Sequence, residues 1–162
     1  YRPASAQKMK HVKEGDKAPA FKGTDQHGNA VSLSALKGKK VVLYFYPRDN
    51  TPTCTDQACN LRDNYQVLLK KGYTVIGVSN DSEKSHQKFS KKYDLPFPLL
   101  ADEDRKIVEA YGVYGEKKFM GRIFDGIHRT TFLINEKGVI DKIIDKPHSK
   151  THAEEILELW DK

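Results

Sequence analysis

The sequence is short of cysteine, methionine and tryptophan, with two, two and one among 162 residues, and the shortages remove whole classes of explanation. Two cysteines cannot staple a small secreted domain, and Cys54 and Cys59 lack the paired spacing of a zinc site. No apolar run approaches the roughly 20 residues that span a bilayer, so no membrane partner is expected. Repeats and low-complexity stretches are absent. The first residues, Tyr1 to Lys10, hold no apolar stretch of the kind a secretory signal needs. Residues 1–8 read as a flexible or added lead and residues 9–162 as a single domain, long enough to bury a core. A cytoplasmic location is expected.

What the chain does have is charge. The 28 basic and 22 acidic side chains leave a net charge of +6. The lysines fall in scattered pairs, Lys39-Lys40, Lys70-Lys71, Lys91-Lys92 and Lys117-Lys118. With no aromatic platform or recognised binding motif beside them, these pairs read as solvated surface, and no nucleic-acid partner is expected.

The hydrophobic pattern alternates between strand and helix. Phe21 to Leu33 is a hairpin around Asp25-Gln26-His27-Gly28-Asn29, and Ser34 begins a helical turn that ends at Gly38. Val41 to Tyr46 is a continuous β-branched and aromatic run, the mark of a strand buried on both faces. Cys54, Ala58, Leu61, Tyr65 and Leu68 then share one face of a helix predicted to continue to Gly72. A second buried strand, Thr74 to Ser79, leads into a polar helix from about Ser82 to Tyr93, which implies a right-handed parallel crossover. Leu99-Leu100 is a short extended piece and Glu103 to Tyr111 a helix. Arg129 to Ile134 and Val139 to Ile144 flank a hairpin turn, and Ser149 to Trp160 is a final helix. The sum is an α/β fold with a mixed sheet flanked by helices and an N-terminal β-hairpin, the outline of a thioredoxin-like fold, although pattern alone fits other α/β folds.

Chemistry concentrates between Pro47 and Cys59. Thr51 is a good N-cap and Pro52 suits the first helical position, which puts Cys54 in the first turn, among backbone N–H groups that have no helical partner. An ordinary thiol, with a pKa near 8.5, is only about 3% ionised at pH 7, and only the thiolate is nucleophilic. Bringing such a thiol to about 6 takes about 3.4 kcal/mol. A helix terminus supplies about 0.3 to 1 kcal/mol, and at most about 2. A cation must therefore be brought from elsewhere, and Arg48, Arg62 and Arg129 are the candidates.

Pro47, Thr51 and Cys54 reproduce the Pro-x-x-x-Thr-x-x-Cys motif of the peroxiredoxins. Tyr44-Phe45-Tyr46, Gln57-Ala58-Cys59, Leu61-Arg62-Asp63, Gly112 to Lys117 and Gly126 to Ile134 resemble the subgroup called bacterioferritin comigratory protein or peroxiredoxin Q. The likeness runs from about Val12 to Trp160. It implies a thiol peroxidase that needs no metal and no bound organic cofactor, often monomeric, with Cys54 as the peroxide-attacking (peroxidatic) thiol. Arg129 would hold thiolate and peroxide, Thr51 would turn its hydroxyl toward both, and Pro47 would shield the site. The amides of Thr53 and Cys54 would polarise the departing oxygen. The sulfenic acid formed at Cys54 would condense with a resolving thiol, for which Cys59 is the candidate, and thioredoxin or a similar thiol would recycle the disulfide. On a regular helix these two cysteines lie about 7.5 Å apart along the axis, beyond bridging range, so residues 54 to 62 would have to unwind.

The nearest rivals fit less well. A disulfide reductase of the thioredoxin kind needs Cys-x-x-Cys, and a cysteine hydrolase needs a His base that no motif ties to Cys54. A redox sensor or holdase that uses the same thiol without turning over stays open. His148 and His152 have metal-binding i, i+4 spacing but no third ligand, and read as solvated residues at a helix end.

Overall fold

A computed structural model describes residues 12–160, so the lead assigned to residues 1–8 lies outside the described residues. Strands β1 (Lys22–Thr24) and β2 (Ala30–Ser32) form the expected N-terminal hairpin, followed by a 3-10 turn at Ser34–Leu36. Then come β3 (Lys40–Phe45), α1 (Pro52–Asp63), α2 (Tyr65–Lys70), β4 (Tyr73–Ser79), α3 (Glu83–Tyr93), β5 (Leu99–Ala101) and α4 (Lys106–Ala110). The chain continues through β6 (Tyr114–Phe119), β7 (Arg122–Ile127), β8 (Thr130–Ile134), β9 (Ile140–Asp145) and α5 (His152–Trp160).

The central sheet has the order β5-β4-β3-β8-β9. β3, β4 and β5 are parallel, whereas β8 runs antiparallel to β3 and β9 antiparallel to β8. The period-2 pleat of β3 splits its side chains between two cores. Val42 and Tyr44, with Tyr46 just beyond the strand, join Cys54, Ala58, Leu61, Phe89, Ile156 and Trp160 on one face. Val41, Leu43 and Phe45 join Ile107, Val108, Tyr111 and Phe132 on the other. A strand buried on both faces has to be apolar throughout, which is the pattern its sequence shows.

Three segments depart from the sequence expectation. The helix predicted to run to Gly72 breaks at Asn64, whose side-chain amide donates to the carbonyl of Asn60 at 2.9 Å and whose φ/ψ of −106°/10° leaves the helical region. The helix expected from Glu103 begins only at Lys106, because Arg105 adopts a left-handed φ of 62°. The β6–β7 ribbon was not expected at all; its turn, Met120-Gly121, has φ of 52° and 78°.

Candidate active site

β3 ends where the chain enters the loop from Tyr46 to Thr51, and α1 starts directly after it. Asp49, 8% exposed, pins the loop from inside. Its carboxylate accepts from the Tyr46 hydroxyl at 2.6 Å, the Ser85 hydroxyl at 2.8 Å and His86 Nδ1 at 2.6 Å. Its backbone N–H donates to Asp81 at 2.7 Å. His86 Nε2 meets the carbonyl oxygen of Leu100 at 2.8 Å, so both ring nitrogens face acceptors, an arrangement that favours the doubly protonated ring. Asp49, Asp81 and His86 lie close enough together to suggest a metal site. A doubly protonated imidazole is no ligand, however, and the carboxylate oxygens that face it already accept other donors.

This pair makes stability depend on pH. Burial pulls the His86 imidazole down, but the hydrogen bond and charge of Asp49, the Leu100 carbonyl and the charge of Asp81 together outweigh it and leave the group raised. A raised histidine stabilises the fold fully below its ordinary value near 6.5, and this contribution is lost as pH climbs through the raised value. Breaking a buried pair costs about 3–5 kcal/mol. His86→Gln is therefore expected to lower the urea midpoint most in mildly acid solution and progressively less toward alkaline pH. A deficit that stays constant over that range would count against the ion pair.

Cys54 occupies the first turn of α1 and is 2% exposed. Thr51 has the extended backbone of an N-cap, φ/ψ of −92°/154°, and its carbonyl accepts from Thr55 N–H at 2.8 Å. Its hydroxyl makes no capping bond, contrary to the sequence expectation, and donates instead to the Arg48 carbonyl at 3.1 Å. The lone pairs of that hydroxyl stay available to an incoming O–H. Pro47, partly buried, stands between the core residue Tyr46 and exposed Arg48.

Of the three candidate cations, Arg129 reaches the sulfur. It immediately precedes β8, and because Thr130 pairs with Phe45 across the sheet, the strand order delivers it to the end of β3. One guanidinium nitrogen donates to Cys54 Sγ at 3.3 Å and the other to Gln57 Oε1 at 2.9 Å. Gln57 sits three residues after Cys54, on the same face of α1, so the planar fork grips two points of one helix. Arg62 is committed elsewhere, to Asp63 and to the Tyr93 carbonyl at 2.7 Å.

Several participants escaped the sequence reading. Gln57 is fully buried, and neither its Nε2 nor the Tyr44 hydroxyl has a hydrogen-bond partner among the described residues. His152, expected to be solvated, has no exposed surface, because Thr131 donates to its Nε2 at 2.8 Å and its Nδ1 donates to Glu155 at 3.0 Å. Burial holds this imidazole below the ordinary range, with the Glu155 carboxylate opposing and the Arg129 charge assisting, so it presents no extra positive charge to the guanidinium. His148 is exposed and makes no metal pair with it. The i, i+4 spacing held no hint that one histidine was core and the other surface.

Cys59 is partly buried on the same unbroken helix as Cys54, and both thiols are free. Burial pushes the Cys59 thiol up; Arg62 pulls against this, while Asp63 and Asp56 add to it. Beside it, Asn60 Oδ1 accepts the Ala153 N–H at 2.7 Å, and Asn60 thereby caps the first turn of α5 from another helix.

The profile of the AhpC/TSA family matches residues 14–143. The chain belongs to that family, among the peroxiredoxins. It is 45% identical to the peroxiredoxin Bcp of Escherichia coli over 149 residues, 92% of this chain and 96% of the relative. Among solved structures, a mutant of Xylella fastidiosa PrxQ superposes with a TM-score of 0.87 at 32% identity, covering 94% of this chain and 97% of the other. The Xanthomonas campestris bacterioferritin comigratory protein, described in connection with alkyl peroxide reduction, superposes at 0.81 with 34% identity, covering 86% and 88%. The thioredoxin-like fold and the thiol peroxidase class, an oxidoreductase acting on peroxide, follow for this peroxiredoxin.

Proposed function

We propose that Cys54 is the peroxidatic thiol and Cys59 the resolving one, that Thr51, Arg129 and Pro47 complete the site, and that thioredoxin or a similar thiol closes the cycle. The observation that carries this reading is the Arg129 N–H aimed at Cys54 Sγ at 3.3 Å, at a helix N-terminus, where the first amides have no partner within the helix. A charged N–H donor aimed at sulfur is placed to meet the negative charge that sulfur carries as it attacks. The thiolate attacks one peroxide oxygen, forming an S–O bond as the O–O bond breaks. Sulfur loses two electrons and becomes a sulfenic acid, while the departing oxygen takes a proton and leaves as water or an alcohol. Thr51 accepts the peroxide hydrogen, and the amides of Thr53 and Cys54 face the developing charge.

Resolution then joins Cys59 to the sulfenic sulfur with loss of water. Because a regular helix keeps the two Cα atoms beyond the roughly 7 Å bridging limit, residues 54–62 unwind first. Two features support that opening. The Tyr44 hydroxyl beneath α1 and Gln57 Nε2 on it have no partner among the described residues, and a buried polar group left unmet costs about 1–3 kcal/mol. The break at Asn64 ends α1 one residue beyond Arg62, so opening of residues 54–62 need not carry α2 with it.

Hydrogen peroxide and organic hydroperoxides are the proposed substrates, the second by likeness to the Xanthomonas relative. Residues 9–162 act as one domain, a monomer in the cytoplasm, with a role in antioxidant defence and no nucleic-acid partner. Among the described residues no helix is long and apolar enough to cross a membrane. The deciding experiment is peroxide consumption linked to thioredoxin and its reductase, with mass spectrometry of the oxidised chain. Cys59→Ser is expected to keep one-shot oxidation of Cys54 yet lose at least about tenfold in turnover, an activation difference of about 1.4 kcal/mol. In the wild type, hydrogen-exchange protection over residues 54–62 should fall on oxidation. Full turnover by the serine variant with thioredoxin would assign resolution to another thiol.

A further inference from the structure

The ribbon β6–β7 anchors a second cation two residues before Arg129. Lys117 lies on β6 opposite Phe124, and its stem crosses the ribbon over Gly126, where a Cβ would come 3.1 Å from Lys117 Cδ. A bare backbone at Gly126 gives the stem its path. At the far end the ammonium donates to the Ile127 carbonyl at 2.9 Å, two residues before Arg129. The side chain is partly buried, and among the described residues no ion pair joins either Lys117 or Arg129 to a carboxylate. The acidic side chains on the ribbon are Glu116 and Asp125. They pair with each other across it, at the register position next to Lys117 and Phe124, and so belong to its opposite face.

Two partly buried like charges without a counter-anion repel one another unless an anion lies within reach of both. Arg129 donates to Cys54 Sγ, so a negative charge that arises there during the reaction is met directly by Arg129 and backed by the ammonium anchored two residues before it. Burial holds the Lys117 ammonium below its ordinary range and Arg129 lowers it further, whereas the Cys54 charge acts in the opposite direction. The lysine therefore lies in the electrostatic field of both groups.

We propose that Lys117 is a positioning residue of the peroxide site, held over Gly126 so that its ammonium backs Arg129 and favours negative charge on Cys54 and on the departing oxygen. The proposal rests on the reading of Cys54 as the peroxide-reducing thiol. It adds no step to the reaction: sulfur is still oxidised, the O–O bond is still the one broken, and the released oxygen still takes up a proton. What changes is the charge that the surroundings present to the sulfur before and during attack.

The test compares Lys117→Met, which keeps the length of the stem without its charge, with Lys117→Arg, which keeps a charge, and with Gly126→Ala, which obstructs the stem. The readouts are the fraction of Cys54 present as thiolate at neutral pH, from its ultraviolet absorbance in a Cys59→Ser background, and the rate of its first reaction with hydrogen peroxide. Lys117→Met and Gly126→Ala are expected to lower both by about three- to tenfold, the scale of a partly screened charge. Lys117→Arg should restore most of the loss, which a merely structural role would not allow. The proposal is overturned if Lys117→Met matches the Lys117 protein in both readouts, or if Lys117→Arg is as impaired as Lys117→Met. If the Lys117 protein itself leaves Cys54 unreacted with peroxide, the assignment of Cys54 fails, a result distinct from either of these.

Discussion

Cys54→Ser is expected to bring peroxide turnover to the background rate while the fold stays intact. Serine is close to cysteine in size, and position 54 is 2% exposed, so the substitution alters the chemistry of one atom within a packed core. That atom decides everything. A serine hydroxyl stays protonated beside Arg129, and its oxygen cannot pass through a sulfenic state. Neither Cys59 nor any helix terminus can substitute, since the guanidinium reaches position 54 and the Cys59 thiol is pushed up by burial. The measurement is the assay linked to thioredoxin, with thermal unfolding as the control for folding. Turnover above a few per cent of the wild-type rate in a folded serine variant would remove Cys54 from the mechanism.

Arg129→Ala should slow the first reaction with peroxide by about 10² to 10³, the loss seen when one donor to a developing anion is removed from a water-poor site. The arginine does two things at once: it donates to the sulfur at 3.3 Å and fixes Gln57 at 2.9 Å. Lysine retains the charge but offers a single point in place of a fork, so Arg129→Lys is expected to recover only part of the rate. Stopped-flow mixing with hydrogen peroxide in the Cys59→Ser background separates this step from recycling. A loss of less than about threefold in the alanine variant would mean that the contact with sulfur is incidental and that the helix terminus alone activates the thiol.

Much of this site is legible in the one-dimensional chain because it is local. Pro47, Thr51 and Cys54 fall within a single loop and helix start, where capping preference and a missing N–H act over a few residues. The β3 run is equally plain, since a strand covered on both faces reads as a near-continuous apolar and aromatic stretch. Helix electrostatics left Arg129 as one candidate among three, the family resemblance singled it out, and the placement of β8 beside β3 is what brings it, rather than Arg48 or Arg62, to the sulfur. Gln57 and Lys117 could not be singled out, because a glutamine on a helix and a lysine on a polar ribbon acquire meaning from what the fold sets against them. The ribbon itself was hidden by composition. Charged residues occupy both of its strands, and its two-residue turn puts Met120 where asparagine or aspartate is the usual signal for a positive φ. Asn64 was hidden for a different reason: the apolar spacing of Leu61, Tyr65 and Leu68 continues through the break as though the helix did.

Asn60 gives the chemistry a longer reach than its own helix. The α5 segment takes its first-turn acceptor from that side chain, and its last residue, Trp160, bonds to Asp141 at 3.1 Å and lies against Tyr73 at the start of β4. The proposed opening that lets two sulfur atoms meet would also release this borrowed anchor, leaving α5 held by its apolar face and by the bonds of His152 to Thr131 and of Trp160 to Asp141. Oxidation at position 54 would in that way cost α5 one of its polar ties, on the face of the sheet that it shares with the reacting sulfur.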